Sequence, residues 1–316
     1  YGDHRDLHLS IRRQRQMCIR DRIISGFEIY NDTFKNILGS NAKLIKHASG
    51  FEWTEGPAYF QNGDYLIFSD IPNNRMIKWS DADGVSVFRE SADFSNGNFV
   101  DSKGRLITCQ HGTRNITRTE IDGTITNITD NYKGKKLNSP NDLVENSKGD
   151  IFFTDPPYGI LSDHEGYKSE SELGKNYVFR FRTDKNVLEI LSDEFDKPNG
   201  LCFSPDEKYL YVADSGDPGD IKCLELNDDY QVISSRIFAV IRPGVPDGLR
   251  VDINGNIFTS AWDGIQVLNP SGDLIGKILV PEDRTANCCW GGKSKNRLYI
   301  TADKSIYSII LNTIGI

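Results

Sequence analysis

Four short motifs along this sequence place an oxygen-bearing side chain beside proline or glycine. They are WTEGP, SPND, KPNG and VPDG, and the side chains are those of Glu55, Asn141, Asn199 and Asp247. Carboxylate and amide oxygens are suitable ligands for hard cations such as Ca²⁺. Each motif alone is also typical of a structural turn, because proline restricts the backbone and glycine frees it. A functional site is therefore indicated only if the fold brings the four motifs together.

An internal repeat supplies such a fold. Each copy has a polar cluster, a short apolar strand, a Gly or Asp turn, and a second strand rich in β-branched and aromatic residues. The six copies start at Gly56, Gly97, Pro140, Pro198, Pro246 and Ala286. A spacing of roughly 40 to 58 residues is typical of a four-stranded propeller blade. We predict an all-β, six-bladed β-propeller of four-stranded antiparallel blades; a two-domain sandwich, the alternative, gives no reason for six matching units.

The two ends of the chain bear on how this ring is completed. The last copy is too short to form its own sheet, so segment 42–49 is predicted to supply the missing outer strand and close the ring. Residues 1–22 contain six arginines and lack the apolar stretch of a secretory signal. We expect them to be non-native or disordered, with a basic partner-binding tail as the alternative. One domain is expected over residues 23–316.

Net charge and composition restrict the kinds of partner that the protein is expected to bind. A net charge of −8 disfavours a nucleic-acid role, and the sequence has no apolar stretch long enough to span a membrane. The six cysteines show no metal-type spacing and are expected to be buried free thiols. A cytoplasmic location is favoured, with a periplasmic or secreted one left open because the native N-terminus is uncertain. A monomer or small homo-oligomer that binds a small molecule is expected.

In a propeller, the innermost strand of each blade begins near the central axis. The residues predicted to point into the channel from equivalent places in the copies are Glu55, Asn98, Asn141, Asn199, Asp247 and Asn287. A water-filled channel is one explanation of this polarity. Six aligned oxygen-bearing side chains, two of them acidic, favour one divalent cation instead: Ca²⁺ first, with Mg²⁺, Mn²⁺ or Zn²⁺ also open.

Longer motifs around these residues resemble the gluconolactonase/regucalcin (senescence marker protein) family, and its bacterial gluconolactonase branch in particular. They are WTEGP, LNSPND, FTDPPYG, CQHGTRNITRTE, KPNGLCFSPDEKYLYVAD and PDGLRVD. The resemblance implies a six-bladed propeller that hydrolyses sugar lactones with one metal of the Ca²⁺ class. It implies that the metal ligands are Glu55, Asn141, Asn199 and Asp247. Animal members carry a substrate-contacting arginine where this chain has Ser139, so their substrate preference does not transfer.

The expected chemistry is ester hydrolysis. A bound dication can polarise a lactone carbonyl and lower the pKa of a water molecule, and the sequence contains no GxSxG nucleophile motif. A metal-assisted, non-covalent route is therefore predicted. Asp247 is the candidate base or water-orienting residue, with a pure ligand role as the alternative. Asp142 is a second catalytic candidate, with a structural turn carboxylate as the alternative.

The ends of the second strands are expected to form the mouth of the channel. Their loops carry His111, Arg114, Asp155, Tyr158, Asp214, Trp262 and Asp263. His111 is a catalytic candidate that could move a proton or bind substrate hydroxyls; a surface histidine with satisfied hydrogen bonds is the alternative. The candidate substrate-binding residues are Asn98, Asn141, Arg114, Asp155, Tyr158 and Trp262. The polar insert 163–177 is expected to be a lid or binding loop.

Two other functions fit the same ring. A phosphotriesterase or another ester hydrolase could use the same metal, since a dication polarises P=O as readily as C=O. A propeller that binds calcium without catalysis is the non-enzyme alternative. The polar mouth favours a sugar lactone as the substrate.

Overall fold

A computed structural model describes residues 23–24 and 26–316 of the chain. These residues form 28 strands and two short helices. Neither helix in this part of the chain is long and apolar enough to cross a membrane. Residues 1–22 lie outside the described residues, and their non-native or disordered character stays a prediction.

The chain first forms elements that later join the last two blades. They are β1 (Ile23–Ile24), β2 (Phe27–Ile29), helix α1 (Asp32–Leu38) and β3 (Ile45–Ser49). Blade 1 follows with β4 (Thr54–Phe60), β5 (Tyr65–Asp70), β6 (Arg75–Ser80) and β7 (Gly84–Glu90). Blade 2 consists of β8 (Ser95–Val100), β9 (Leu106–Gln110), β10 (Asn115–Thr119) and β11 (Ile125–Thr129). A small hairpin follows, formed by β12 (Asn131–Tyr132) and β13 (Lys135–Lys136).

The remaining blades have the same order of strands. Blade 3 consists of β14 (Leu143–Glu145), β15 (Ile151–Asp155), β16 (Tyr177–Arg182) and β17 (Val187–Ser192), with helix α2 (Tyr158–Leu161) after β15. Blade 4 consists of β18 (Pro198–Phe203), β19 (Tyr209–Asp214), β20 (Asp220–Leu226) and β21 (Val232–Val240). Blade 5 contains β22 (Leu249–Val251), β23 (Ile257–Ala261), β24 (Gly264–Leu268) and β25 (Leu274–Leu279). Blade 6 contains β26 (Thr285–Gly291), β27 (Arg297–Ala302) and β28 (Ser305–Ile310).

The ring is closed by the N-terminal strand β3. It pairs antiparallel with β28, with Ala48 opposite Ile306, and becomes the fourth strand of blade 6. The first strands of neighbouring blades contact one another around the channel. The predicted six-bladed propeller of four-stranded antiparallel blades, closed by an N-terminal strand, is confirmed.

Blade 5 has two further strands that the repeat pattern did not reveal. Strand β2 pairs with β25, and β1 pairs with β2. Phe27 and Ile29 of β2 are buried in one cluster with Phe34 of α1. The helix begins at Asn31, whose side-chain oxygen accepts a hydrogen bond from the Phe34 N–H at 3.0 Å. Gly276 in β25 makes room, since a Cβ there would overlap the Phe34 ring. These contacts attach the N-terminal segment to the ring.

The apolar core is divided into six clusters, one between each pair of neighbouring blades. Between blades 6 and 1, for example, Tyr299 packs beside Phe68 and Trp79. Burial of apolar surface stabilises each contact between blades by roughly 25 cal/mol per Å². The five cysteines among the described residues are free and buried, as predicted: Cys109, Cys202, Cys223, Cys288 and Cys289. Cys18 lies outside the described residues.

The innermost strands of blades 1, 2, 4 and 6 share a bulge near their start. Their first residues lie opposite the last residues of the second strands, in the pairs Thr54–Asp70, Ser95–Gln110, Pro198–Asp214 and Thr285–Ala302. The next residue in each strand therefore occupies one equivalent position, held by Glu55, Asn96, Asn199 and Ala286. A bulge adds a residue and turns a side chain towards a new direction. The prediction that Asn98 and Asn287 share the position of Glu55 is therefore wrong, because it ignored the added residue.

Candidate metal centre

A cavity of about 320 Å³ opens at one end of the channel. It brings together all four residues predicted to bind metal: Glu55, Asn141, Asn199 and Asp247. Glu55 lies in β4 and Asn199 in β18, whereas Asn141 and Asp247 directly precede β14 and β22. The four therefore reach the cavity from the starts of four different innermost strands. Their role as ligands stays a prediction.

A repeated aspartate holds the loops that carry three of these residues. Asp155 ends β15 and accepts hydrogen bonds from the Asn138 and Ser139 N–H groups, both at 2.8 Å. Asp214 ends β19 and accepts from the Asp196 and Lys197 N–H groups, both at 2.8 Å. Asp70 does the same in blade 1, accepting from the Glu52 N–H at 2.9 Å. These carboxylates fix the loop before the inner strand and so position Asn141, Asn199 and Glu55.

Acidic side chains are crowded in the cavity. Burial raises the pKa of Glu55 to about 8, and the charges of Asp142 and Glu165 act in the same direction. The Gly56 N–H, which donates to Glu55 Oε2 at 2.6 Å, opposes that rise. Burial also raises the pKa of Asp247 well above its usual range, and repulsion from Glu55 is the second largest cause of that rise. A divalent cation between the two carboxylates would remove this repulsion.

The donor set fits a hard cation. Among the described residues, no three His, Cys, Asp or Glu side chains converge as a metal cluster. The four predicted ligands are two carboxylates and two amides instead, and the two carboxylates would neutralise a dication. All four are oxygen donors, the type that Ca²⁺ prefers.

Asp142 lies next to this cavity but is engaged by protein groups. Its Oδ2 lies 3.2 Å from the Arg250 guanidinium, and its Oδ1 accepts from the Leu143 N–H at 2.8 Å. Asn287 donates to Glu55 Oε2 at 3.1 Å and to Asp142 Oδ2 at 3.4 Å. This geometry favours the structural alternative for Asp142 over the catalytic one. Arg250 was missed at the sequence level, although an arginine within the apolar strand PDGLRVD was a signal of a buried partner.

His111 is fully buried and does not line the cavity. Its Nδ1 lies 2.9 Å from the Glu165 carbonyl oxygen, and its Nε2 lies 3.2 Å from Asn96 Nδ2. Burial lowers the pKa of His111 to about 4, so the ring is neutral near pH 7. Any effect of His111 on substrate is therefore transmitted through Asn96 or the insert.

The remaining predicted residues divide into two groups. Tyr158 and Trp262 line the cavity, and the half-exposed Trp262 ring has the Arg284 guanidinium at 5.2 Å from its centroid. Arg114 instead donates to the Leu137 carbonyl at 2.6 Å and to Ser169 Oγ at 3.0 Å, and so holds the insert. Asn98 donates to the Gly56 carbonyl at 2.9 Å and accepts from Thr108 Oγ1 at 2.9 Å.

For Arg114, Asp155 and Asn98, the contacts favour structural roles over the predicted substrate contacts. Asp263 is likewise engaged outside the cavity, in an ion pair with Lys277 at 2.6 Å. Asn96 and Glu165 are among the cavity residues that were not predicted. An Asn–Gly pair at 96–97 that matches Glu55–Gly56, Asn199–Gly200 and Asp247–Gly248 was the available signal for Asn96. Glu165 lies in the insert, which has no counterpart in the other copies.

The fold and the cavity define a class of protein, a six-bladed propeller with carboxylates and amides gathered at one end of its channel. The chain belongs to the SMP-30/Gluconolactonase/LRE-like family, whose model matches residues 53–304. It is 35% identical over 303 residues to a gluconolactonase of Zymomonas mobilis, covering 88% of this chain and 84% of that protein.

Solved structures agree with this assignment. A gluconolactonase from Xanthomonas campestris superposes with a TM-score of 0.85 at 35% identity, over 90% of this chain and 93% of that one. A regucalcin from Agrobacterium tumefaciens, described as a calcium-binding protein, has a TM-score of 0.72 at 15% identity, over 87% of this chain and 95% of that one. The second likeness concerns the fold alone.

Proposed function

We propose that the protein hydrolyses a sugar lactone, similar to gluconolactone, to the aldonic acid with the help of one divalent cation. The observation that carries the proposal is the cavity in which Glu55 and Asp247, two mutually repelling carboxylates, face the amides of Asn141 and Asn199. Membership of the family and the 35% identity to the Zymomonas gluconolactonase support the reaction class.

Glu55, Asn141, Asn199 and Asp247 would hold the cation, with Ca²⁺ favoured by their oxygen donors. A bound cation would polarise the lactone carbonyl and lower the pKa of a nearby water molecule. The protein's own residues must then orient that water and accept its proton.

The two carboxylates differ in how they are held. Glu55 accepts hydrogen bonds from the Gly56 N–H and the Asn287 amide, which suits a fixed ligand. Asp247 is the more accessible of the two, which suits a base. In the proposed step, Asp247 accepts a proton from the water that attacks the carbonyl carbon. The ring C–O bond then breaks, and that proton passes to the leaving alcohol oxygen.

The test is hydrolysis of D-glucono-1,5-lactone by the purified protein, before and after EDTA and after addition of Ca²⁺. We expect turnover that EDTA abolishes and Ca²⁺ restores. Turnover that is insensitive to EDTA contradicts the metal role. Hydrolysis of a phosphotriester without hydrolysis of any lactone favours the alternative reaction, and Ca²⁺ binding without turnover favours a scaffold.

Replacement of Asp247 by Asn separates the base role from the ligand role. We expect Asp247→Asn to lower kcat by about 100-fold or more, since general bases contribute about 10²–10⁴-fold, while Ca²⁺ binding persists in calorimetry. Asp184→Asn is the matched control, because Asp184 has a side chain 61% exposed at the surface. Unchanged kcat in Asp247→Asn contradicts the base role.

A further inference from the structure

Asn96 occupies the blade-2 position equivalent to Glu55, and its side chain is 4% exposed. It lines the cavity together with the four candidate metal ligands. The carbonyl of Asn96 lies close to Gly56, where a Cβ would come within 1.9 Å of that oxygen. The main chain of Asn96 is therefore packed closely against that of blade 1.

The hydrogen bonds of His111 fix the direction of the Asn96 amide. The Glu165 carbonyl can only accept, so His111 Nδ1 carries the hydrogen in the 2.9 Å contact between them. In a neutral ring, Nε2 is then an acceptor, and it must receive the hydrogen bond from Asn96 Nδ2 at 3.2 Å. The Asn96 amide therefore cannot be rotated by 180° without loss of that bond.

The other end of the amide has no protein partner. Asn96 Oδ1 is buried, and within the described part of the chain it accepts no hydrogen bond. Buried polar atoms are nearly always satisfied, so an acceptor left open beside a cavity indicates a donor that arrives from outside the protein.

The insert supplies the adjoining wall. Glu165 lines the cavity, and its carboxylate takes part in none of the hydrogen bonds between described residues. The insert is held there by the Ser169 N–H, which donates to the Ile160 carbonyl at 3.0 Å. Gly166 packs closely on Gly159, since a Cβ on Gly166 would lie 2.1 Å from the Gly159 carbonyl oxygen. Asn96, with its open Oδ1 acceptor, and Glu165 thus both belong to the wall of the cavity.

We propose that Asn96 recognises the substrate by accepting a hydrogen bond from one of its hydroxyl groups, and that His111 is the positioning residue that fixes the acceptor. The inference rests on the proposed lactone hydrolysis and narrows the substrate to lactones that carry free hydroxyls. A phosphotriester or an unsubstituted lactone has no donor to offer. A metal ligand role for Asn96 is the competing explanation, and the test separates the two.

The experiment compares wild type, Asn96→Ala, His111→Leu and the double variant on two six-membered lactones. D-glucono-1,5-lactone carries hydroxyls, and δ-valerolactone does not. We expect Asn96→Ala to lower kcat/KM for gluconolactone by about 3- to 10-fold, the effect of one neutral hydrogen bond, mainly through KM. The value for δ-valerolactone should change by less than about twofold. His111→Leu should act in the same direction, and the double variant should be no worse than Asn96→Ala, because the two residues act as one unit.

The control is Asn146→Ala, another buried asparagine, which lies in the turn before β15 and accepts from the Lys148 and Asp150 N–H groups. It should lower the melting temperature without changing the ratio of the kcat/KM values for the two lactones. Equal losses on both lactones in Asn96→Ala, or weaker Ca²⁺ binding in calorimetry, overturn the inference while lactone hydrolysis stands. Absence of lactone hydrolysis by wild type removes the proposed function and this inference with it.

Discussion

The two ends of the channel are both polar, but their charges are arranged differently. At the end opposite the candidate metal centre, a second cavity of about 460 Å³ is lined by Asn98, Asp101, Glu145 and Arg250, among others. There, Asp101 pairs with Arg105 at 2.7 Å and Arg250 pairs with Asp142 at 3.2 Å. Among the described residues, no ion pair includes Glu55 or Asp247. The comparison teaches that polarity alone does not mark the site; acidic side chains without a cationic partner do.

The largest effect should come from breaking the buried ion pair between Arg250, which lines the second cavity, and Asp142, which lies beside the first. Arg250→Met leaves Asp142 as an unpaired buried charge, which should lower the free energy of unfolding by about 3–5 kcal/mol. Chemical denaturation measures this loss, and adding Asp142→Asn should recover part of it. Arg182→Met, which removes a partly exposed arginine 3.6 Å from Asp184, should cost less than about 1 kcal/mol. Equal losses in the two arginine variants would contradict the comparison.

A pair of charge-neutralising variants distinguishes the two ends directly. Glu55→Gln removes one of the two uncompensated carboxylates and should lower kcat/KM and Ca²⁺ affinity by at least about 100-fold. Glu145→Gln changes the same side chain at the opposite end, where Glu145 accepts from the Ser102 N–H at 2.7 Å, and should leave both quantities within about twofold. Calorimetry and lactone kinetics give the two readouts. The comparison is refuted if Glu145→Gln has the greater effect.

The smallest effect should be a dependence of the stability of the metal-free protein on pH. Burial raises the pKa of Glu55 from 4.5 to about 8, so its contribution to stability is present below pH 4.5 and is lost as the pH rises through 8. The melting temperature without metal should therefore fall by a few degrees between pH 5 and 8, and Ca²⁺ should restore it at pH 8. The fall should be smaller in Glu55→Gln. A melting temperature that rises over this range would contradict the raised pKa of Glu55.

Much of this arrangement could be predicted from the sequence, because each blade repeats its local pattern. The four motifs with Glu55, Asn141, Asn199 and Asp247 identified one wall of the cavity, and the short last copy indicated that an N-terminal strand closes the ring. In blade 2, the Asn–Gly pair at 96–97 was a signal of the ring position, but the alignment of the copies did not allow for the bulge and gave Asn98 instead. A bulge depends on the pairing of two strands and leaves little trace in either strand alone.

Other features depend on contacts between distant segments. Asp155 and Arg114 were assigned to the mouth because they follow second strands, but their partners are main-chain groups of neighbouring loops. The contact between His111 and Glu165 joins blade 2 to an insert without a repeated counterpart. Single-sequence patterns report local periodicity, so such pairings appear only once the chain is folded.

Ring closure by β3 also has a consequence for how the chain acquires its structure. His47 of β3 and Ser308 of β28 are hydrogen-bonded at 2.7 Å although they are 261 residues apart. On the ribosome, β3 emerges early and must wait for almost the entire chain before its partner strand exists. Its unpaired edge is a site for wrong pairing during that interval. Blade 6 is therefore the last to be completed during synthesis.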